Sequence, residues 1–173
     1  MKRIIVLMAL LSCIAPALAF AATPAGSGLP VIGAVEMLTL VKEKLQFPAR
    51  IDTGAQTSSL SAVGIQPFER DGKRWLRFQV QESGTGKLVQ LEMALERMAK
   101  IKRHGALATE RPVVSLVVSI GVLKQKCEFS LVDRSDYEYP ALIGRNFLNG
   151  KAVVDVSQEY LVHPLKEGNT NAN

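Results

Sequence analysis

The stretch that decides the fold is Ile51-Asp52-Thr53-Gly54-Ala55. It ends a segment in which apolar residues occupy every second position, at Leu45, Phe47, Ala49 and Ile51. This period predicts a β-strand that runs into Asp52. Glycine adopts backbone conformations that are costly for other residues, so Gly54 predicts a tight turn that holds the Asp52 carboxylate at the strand end. Asp and Gly are also common turn residues, so this stretch alone leaves a structural role open.

A second stretch, Ala141-Leu142-Ile143-Gly144-Arg145-Asn146-Phe147-Leu148, predicts a short apolar strand followed by a short helix from Asn146. If Asp52 is catalytic, it needs a second carboxylate, because two carboxylates that share one proton act together as acid and base. The chain holds one Asp-Thr-Gly and is too short for two lobes. Two chains would therefore each donate Asp52 across a two-fold axis, which predicts a homodimer.

Together the two stretches resemble the retropepsin-like aspartic peptidases, and most closely the bacterial family labelled "ATP-dependent zinc protease". The similarity extends from about Val31 to Val162. It includes the segments Val31-Ile32-Gly33, Phe68-Glu69-Arg70-Asp71-Gly72-Lys73 and Asp133-Arg134-Ser135. The resemblance implies a mainly β protein, a small closed barrel of the retropepsin type with one or two short helices, and aspartic endopeptidase activity.

The resemblance also implies roles for individual residues. Asp52 is the catalytic aspartate, the Thr53 hydroxyl supports the paired loops, and Gly54 with Ala55 completes the turn. Leu142, Ile143 and Gly144 pack behind this loop, and Arg145 anchors the start of the helix. An acidic partner for Arg145 is expected among Asp133, Asp136 and Asp155. The region from Lys100 to Glu110 is the predicted flap, with its tip at Lys102, Arg103, His104, Gly105 and Ala106.

The sequence departs from the family pattern at two places near the turn. The family commonly has Leu-His-Ala where this chain has Leu60-Ser61-Ala62, and a basic residue is usual at the position of Gln56. A substrate preference is therefore not carried over from the family, and peptide or protein is the expected substrate class.

Composition bounds the remaining possibilities. With 173 residues, 47% hydrophobic and 21% charged, the chain fits one globular domain. The net charge of +5 is modest and the basic residues are not interleaved with aromatics, so nucleic acid is not an expected partner.

The N-terminus has the features of a secretory signal. Lys2 and Arg3 precede an apolar run from Ile4 to Ile14, and small residues follow at 17–22. We expect a signal peptide at 1–21, a flexible leader at 22–30, the peptidase domain at 31–165 and a disordered tail at 166–173. The expected location is the periplasm, and an uncleaved membrane anchor is the alternative.

Alternating and β-branched residues predict further strands. They are expected at Val31–Leu40, Trp75–Val80, Leu88–Met93, Arg111–Ile120, Val122–Val132, Ala152–Val156 and Tyr160–Val162. The window Leu91–Lys100 fits a helix as well as a strand. Cys127 falls on the core side of its strand and is expected to be a buried, inert thiol.

Neither half of the label "ATP-dependent zinc protease" finds support in the residues. His104 and His163 are the only histidines, and the chain has no His-Glu-x-x-His motif. The segment Ser83–Lys87 suggests a phosphate loop, but Gln81 and Leu88 stand where that motif requires Gly and Ser/Thr. We therefore expect no metal, no ATP and no cofactor.

Three hypotheses remain. The first is an exported homodimeric aspartic endopeptidase, the second is a non-catalytic peptide-binding or adaptor module on the same fold, and a metal-dependent hydrolase is a distant third.

Asp155 is the rival carboxylate and is expected to be structural. Thr57, Ser58 and Ser59 are expected to be turn or helix-capping hydroxyls, because no histidine lies near them in sequence.

Overall fold

The computed structural model describes residues 28–103 and 106–163, with only the backbone described at 101–103 and 106–108. The predicted signal peptide at 1–21, most of the leader at 22–30 and the tail at 166–173 lie outside these residues, so the proposed segment boundaries stay predictions. No helix in the described part of the chain is long and apolar enough to cross a membrane.

Short β-strands make up most of this part of the protein. The strands are β1 Val31–Gly33, β2 Val35–Leu40, β3 Leu45–Ile51, β4 Ser58–Ser61, β5 Val63–Arg70, β6 Lys73–Gln81, β7 Leu88–Ala94, β8 Arg97–Arg103, β9 Ala106–Ile120, β10 Leu123–Val132, β11 Ala141–Ile143 and β12 Val153–Asp155. One helix is described with them, α1 at Arg145–Leu148.

Six of the strands form a closed barrel. They are hydrogen-bonded in the order β10-β4-β11-β3-β2-β9, and the pairing of β9 with β10 closes the ring. β8 extends this sheet beyond β9, and β1 pairs with β12 in a separate two-stranded parallel sheet. The predicted fold, a mainly β protein built on a small closed barrel, is confirmed.

The position of β11 in the barrel brings the two stretches together. β11 lies between β3 and β4, parallel to β3 with Ile143 opposite Ile51, and antiparallel to β4 with Ala141 opposite Leu60. The loop from Asp52 to Thr57 connects the two strands on either side of β11. Gly144 and α1, which follow β11, therefore lie directly behind this loop.

The barrel interior explains the alternation seen in the sequence. Along β3, Leu45, Phe47, Ala49 and Ile51 are buried. The long hairpin of β9 and β10, which turns at Gly121, contributes Val114, Phe129 and other buried residues to the same core. Burial of such side chains contributes about 1.5–3 kcal/mol each, so this core is the main source of the barrel's stability.

A small antiparallel sheet of β5, β6 and β7 packs beside the barrel. The strands predicted at Trp75–Val80 and Leu88–Met93 are confirmed. β5 was not expected, because no residue of Val63–Arg70 is buried and the segment lacks a clear alternation. Its only large aromatic, Phe68, packs near Trp75 at 6.3 Å between ring centroids.

The structure resolves one open alternative and corrects two local predictions. The window Leu91–Lys100 is strand and not helix, divided between β7 and β8. The expected strand Val31–Leu40 is interrupted at Ala34, whose N–H donates to the Gln158 carbonyl at 2.7 Å. Tyr160–Val162 is not a strand: the N–H groups of Leu161 and Val162 donate to the side chain of Glu36 instead of a neighbouring strand.

Candidate active site

Asp52 stands at the end of β3 with one carboxylate oxygen held by its own loop. Its Oδ1 accepts hydrogen bonds from the N–H of Gly54 at 2.8 Å and the N–H of Ala55 at 3.1 Å. Its backbone N–H donates to the Ile143 carbonyl at 2.9 Å, which ties it to β11. Asp52 is half-buried, and within the described residues Oδ2 forms no hydrogen bond. That oxygen is thus available to a water or a substrate group.

Gly144 packs directly behind this loop, as the resemblance implies. A Cβ at this position would lie 2.9 Å from the Ala55 carbonyl oxygen and 3.0 Å from the Thr57 carbonyl carbon. Real Cβ atoms hardly ever approach so closely, so only glycine allows this contact. The buried residues on either side of it, Ile143 and Phe147, fix its position in the core.

Arg145 anchors the loop, but not through an acid. Its guanidinium Nη1 donates to the carbonyl oxygens of Thr53 at 3.1 Å and Gly54 at 2.6 Å. The expectation of a partner among Asp133, Asp136 and Asp155 is therefore wrong. Two of these carboxylates are engaged elsewhere, Asp133 with the Ser135 N–H and Asp155 with Ser157 and Gln158. The sequence gives no sign of carbonyl ligands, because every residue has one.

Thr53 and Gly54 are exposed on the outer side of the loop. A second chain could approach them there, as the predicted support between paired loops requires. That role of Thr53 depends on a second chain and stays a prediction.

Ser58 and Ser59 differ from the expectation of turn or capping hydroxyls. Both lie in β4 and are buried. The Ser58 Oγ accepts a hydrogen bond from the Gly144 N–H at 3.0 Å, and the Ser59 Oγ accepts one from Arg134 at 2.9 Å. The sequence reading missed them as strand residues because small polar side chains inside a barrel do not show the apolar alternation of a strand.

The predicted flap region corresponds to the hairpin of β8 and β9. Lys100 pairs with Glu110, and Arg103 pairs with Ala106. His104 and Gly105 lie outside the described residues, as do the side chains of Lys102, Arg103 and Ala106. The hairpin is therefore observed, and closure over a substrate stays a prediction.

A cavity of about 620 Å³ separates the base of this hairpin from the Asp52 loop. It begins at Ala55 and continues past the hairpin residues Arg97 and Lys100. Its lining residues are Ala55, Gln56, Thr57, Ser59, Arg97, Met98, Ala99, Lys100, Arg111, Ser130, Arg134, Tyr137 and Leu142. Four of them are basic and none is acidic, so the cavity is positively charged.

Two of these basic residues have carboxylate partners. Arg97 forms an ion pair with Glu128 at 2.7 Å, and Lys100 lies 3.9 Å from Glu110. Both pairs are exposed, and such pairs are weak in water. A negatively charged ligand could therefore compete for these two cations at little cost.

Arg134 is the buried cation of the cavity wall, with 6% of its surface exposed. It donates from Nε to the Tyr139 carbonyl at 3.0 Å and from Nη1 to the Ser59 Oγ at 2.9 Å, and it stacks on Tyr137. Burial, together with the charge of Arg111, lowers the pKa of Arg134. Within the described residues, neither Arg134 nor Arg111 forms an ion pair. The segment Asp133-Arg134-Ser135 carries part of the family resemblance, but the resemblance implied no role for Arg134.

The other candidate groups do not join this site. Asp155 accepts hydrogen bonds from Ser157 and Gln158, which fits the structural role expected of it. Cys127 is buried, and desolvation raises the pKa of its thiol to about 11, so it stays protonated at neutral pH. His163 is exposed. In the described part of the chain, no group of three or more His, Cys, Asp or Glu could hold a metal ion.

Comparisons with known proteins agree with this geometry. The sequence model of the family described as "Retropepsin-like aspartic endopeptidase RimB" matches residues 31–164. A crystal structure of a Legionella pneumophila protein of unknown function is similar, with a TM-score of 0.67 and 32% sequence identity. That match covers 76% of this chain and 97% of the other.

Two curated relatives are each named "Probable alpha-L-glutamate ligase". The protein from Shewanella pealeana is 31% identical over 114 residues, which is 65% of this chain and 25% of the relative. The protein from Parasynechococcus marenigrum is 28% identical over 126 residues, which is 72% of this chain and 27% of the relative. The chain thus spans about a quarter of the length of these relatives, so their whole activity does not transfer to it.

Proposed function

Because this chain belongs to the RimB-like family of retropepsin-like aspartic endopeptidases, we propose that it hydrolyses peptide bonds with a water held between two Asp52 carboxylates, one from each chain of a homodimer. The ionised carboxylate takes a proton from the water as it attacks the peptide carbonyl carbon. The protonated carboxylate gives its proton to the carbonyl oxygen, which forms a tetrahedral diol. The carboxylate that took the proton from the water then passes it to the amide nitrogen, and the C–N bond breaks to release the amine and the acid. As the signal at 1–21 predicts, the enzyme acts after export to the periplasm.

The geometry of Asp52 carries this proposal. Its Oδ1 is fixed by two backbone N–H groups of the loop, whereas Oδ2 forms no hydrogen bond to the described residues. A half-buried carboxylate that is held by one oxygen at the end of a strand can meet its counterpart across a two-fold axis. The adjoining cavity and the β8–β9 hairpin give an extended peptide room beside the loop.

The charge of the cavity favours acidic peptides as substrates. Arg134 and Arg111 lie near one another without a carboxylate partner in the described residues. A buried cation without a counter-charge is costly, and a substrate carboxylate would offset that cost. The relatives point the same way, since a domain similar to this chain forms part of proteins named for joining glutamate. We therefore include glutamate-containing peptides in the proposal.

The test is cleavage of matched peptides by protein that begins at residue 22. One peptide series contains Glu at several positions and the other contains Gln at the same positions. The wild type should cut the Glu series better, and this advantage should shrink as salt is added, because salt screens the charges. Asp52→Asn should lower kcat by about a thousandfold or more, because Asn cannot exchange a proton with the water. A chelator should change nothing.

Variants of the cavity test the substrate class separately. Arg111→Met should raise KM for the Glu peptides about tenfold and leave the Gln peptides nearly unchanged, and Arg134→Met should do the same if it folds. Arg74→Met, on the exposed face of β6, is the matched control. Binding without cleavage by a dimeric wild type would favour the adaptor hypothesis, and loss of cleavage with the chelator would favour the metal-dependent one. Equal cleavage of both series would leave the peptidase but reject the acidic preference.

A further inference from the structure

The conformation of the Asp52 loop depends on hydrogen bonds made by two residues at the start of α1. Thr53, Gly54 and Gln56 are exposed, so little apolar packing holds them. Arg145 binds the carbonyls of Thr53 and Gly54 with its side chain and the carbonyl of Ala55 with its backbone N–H, at 2.8 Å. The next carbonyl, that of Gln56, accepts the N–H of Asn146 at 3.1 Å. Arg145 and Asn146, at the start of α1, thus bind four consecutive backbone carbonyls of the loop.

The Asn146 side chain completes this set at the far end of the loop. Its Oδ1 accepts hydrogen bonds from the Ser58 N–H at 2.9 Å and the Ser58 Oγ at 2.8 Å. Its Nδ2 donates to the Glu128 carbonyl in β10 at 2.8 Å. The Ser58 Oγ in turn accepts the Gly144 N–H. These bonds use the hydroxyl as donor and acceptor together, and they link the loop to β10 and β11.

We propose that Asn146 and Ser58 are positioning residues for Asp52, which set the loop so that the free oxygen of its carboxylate faces the reacting water. This inference rests on the proposed peptidase function. It adds two residues to which the family resemblance assigns no role.

A purely structural role would predict a different pattern of effects. Asn146 is exposed, but Asn146→Ala also leaves the N–H of buried Ser58 without its acceptor, so a loss of about 1–3 kcal/mol in unfolding free energy is expected as well. Its amide, however, fixes the residue at which the loop enters β4. Small displacements of a catalytic group lower the rate strongly, since an error of about 1 Å can cost about a hundredfold. Asn146→Ala should therefore lower kcat per folded molecule, beyond any loss of the folded fraction.

The experiment compares Asn146→Ala and Ser58→Ala with Asn149→Ala. Asn149 is an exposed asparagine at the end of α1, and its side chain makes no hydrogen bond to the described residues. We expect Asn146→Ala to lower kcat about tenfold to a hundredfold, with KM within about threefold of wild type. Asn149→Ala should match wild type. The double variant of Asn146 and Ser58 should lose less than the two single variants added together, because each single variant already removes the hydrogen bond that joins the two side chains.

Hydrogen exchange tests the inference without any activity. The amides of Gly54 and Ala55 donate to Asp52, whereas the amide of Gly33 donates to Glu36, which makes no hydrogen bond to the Asp52 loop. In Asn146→Ala, exchange at Gly54 and Ala55 should be at least about tenfold faster, whereas exchange at Gly33 should not change.

The outcomes separate this inference from the proposed function. Equal acceleration at all three amides, or an unchanged kcat, would overturn the positioning role. An inactive wild type with the local acceleration would reject the peptidase and leave the loop inference standing.

Discussion

Two carboxylates in this protein accept backbone N–H groups in similar ways, yet their surroundings are opposite. Glu36, in β2, is fully buried and uses both oxygens: Oε1 accepts from Gly33 at 2.7 Å and Leu161 at 3.0 Å, and Oε2 accepts from Val162 at 3.3 Å. Asp52 is half-buried and uses one oxygen. Glu36 therefore closes the region where the C-terminal segment crosses β1 and β2, whereas Asp52 keeps one oxygen for other partners.

The difference shows how to separate a structural acid from a reactive one. Burial alone would single out Glu36, and hydrogen bonding alone would not distinguish the two residues. The second oxygen distinguishes them, together with the cavity that adjoins the loop of Asp52. A buried carboxylate whose two oxygens both accept backbone N–H groups is shielded from water and substrate.

The largest effect on stability is expected at Glu36. Glu36→Ala leaves three backbone N–H groups without an acceptor, a buried one at Gly33 and part-buried ones at Leu161 and Val162, and an unpaired buried group costs about 1–3 kcal/mol. The free energy of unfolding should fall by about 3 kcal/mol or more, measured by denaturant titration. Glu69→Ala, on the exposed strand β5, is the control. Asp52→Asn should stay within about 0.5 kcal/mol of wild type, since Asn also offers an oxygen to Gly54. Equal losses for Glu36 and Asp52 would remove the distinction.

Two glycines give a smaller and more selective test. A Cβ on Gly144 would meet the Ala55 carbonyl oxygen at 2.9 Å, and a Cβ on Gly33 would meet the Gln158 carbonyl oxygen at 2.6 Å. Each Gly→Ala change should cost about 1–3 kcal/mol of unfolding free energy, because backbone must move.

Activity should separate these two variants, because Gly144 touches the Asp52 loop and Gly33 lies at Glu36. Per folded molecule, Gly144→Ala should lose most activity and Gly33→Ala should retain it. A peptide assay corrected for the folded fraction measures this. The Ala34 carbonyl next to Gly33 accepts the Ile51 N–H at 2.9 Å, so Gly33 lies near the end of β3. A Gly33→Ala protein as inactive as Gly144→Ala would mean that strain at Gly33 reaches Asp52 through this strand.

The sequence was sufficient for the parts of the fold that have a strong local signal. Alternation located β3 and the β9–β10 hairpin, and the motif residues Asp52 and Gly144 are brought together as the resemblance implied. The parts it missed depend on contacts between distant residues. Ser58 is separated by 88 positions from Asn146, and Leu161 by 125 from Glu36. No local pattern marks such a pair.

Arg145 shows the same limit for side chains. It was expected to anchor the start of the helix with an acidic partner, whereas its guanidinium binds the carbonyls of Thr53 and Gly54 in the Asp52 loop. Opposite charges can be read from a sequence, whereas a carbonyl becomes a specific ligand only when the chain has folded around it. The basic cavity was missed for this reason too, since Arg97, Arg111 and Arg134 come from three separate strands or loops.

The smallest effect on stability is expected at a third carboxylate, Asp155, which accepts hydrogen bonds at the protein surface. The side-chain and backbone hydrogen bonds of Ser157, with a further bond from Gln158, hold the pKa of Asp155 below its ordinary value of 3.8. A lowered folded-state pKa means that the unfolded chain binds more protons, so the stabilisation is present above about pH 4 and is lost as pH falls through the lowered value. Asp155→Asn should therefore lower Tm slightly at pH 7, and the difference from wild type should vanish near pH 2. If the Tm difference between wild type and Asp155→Asn persists at pH 2, Asp155 stabilises its turn without its charge. The contribution of this surface carboxylate would then come from its hydrogen bonds as a neutral acid.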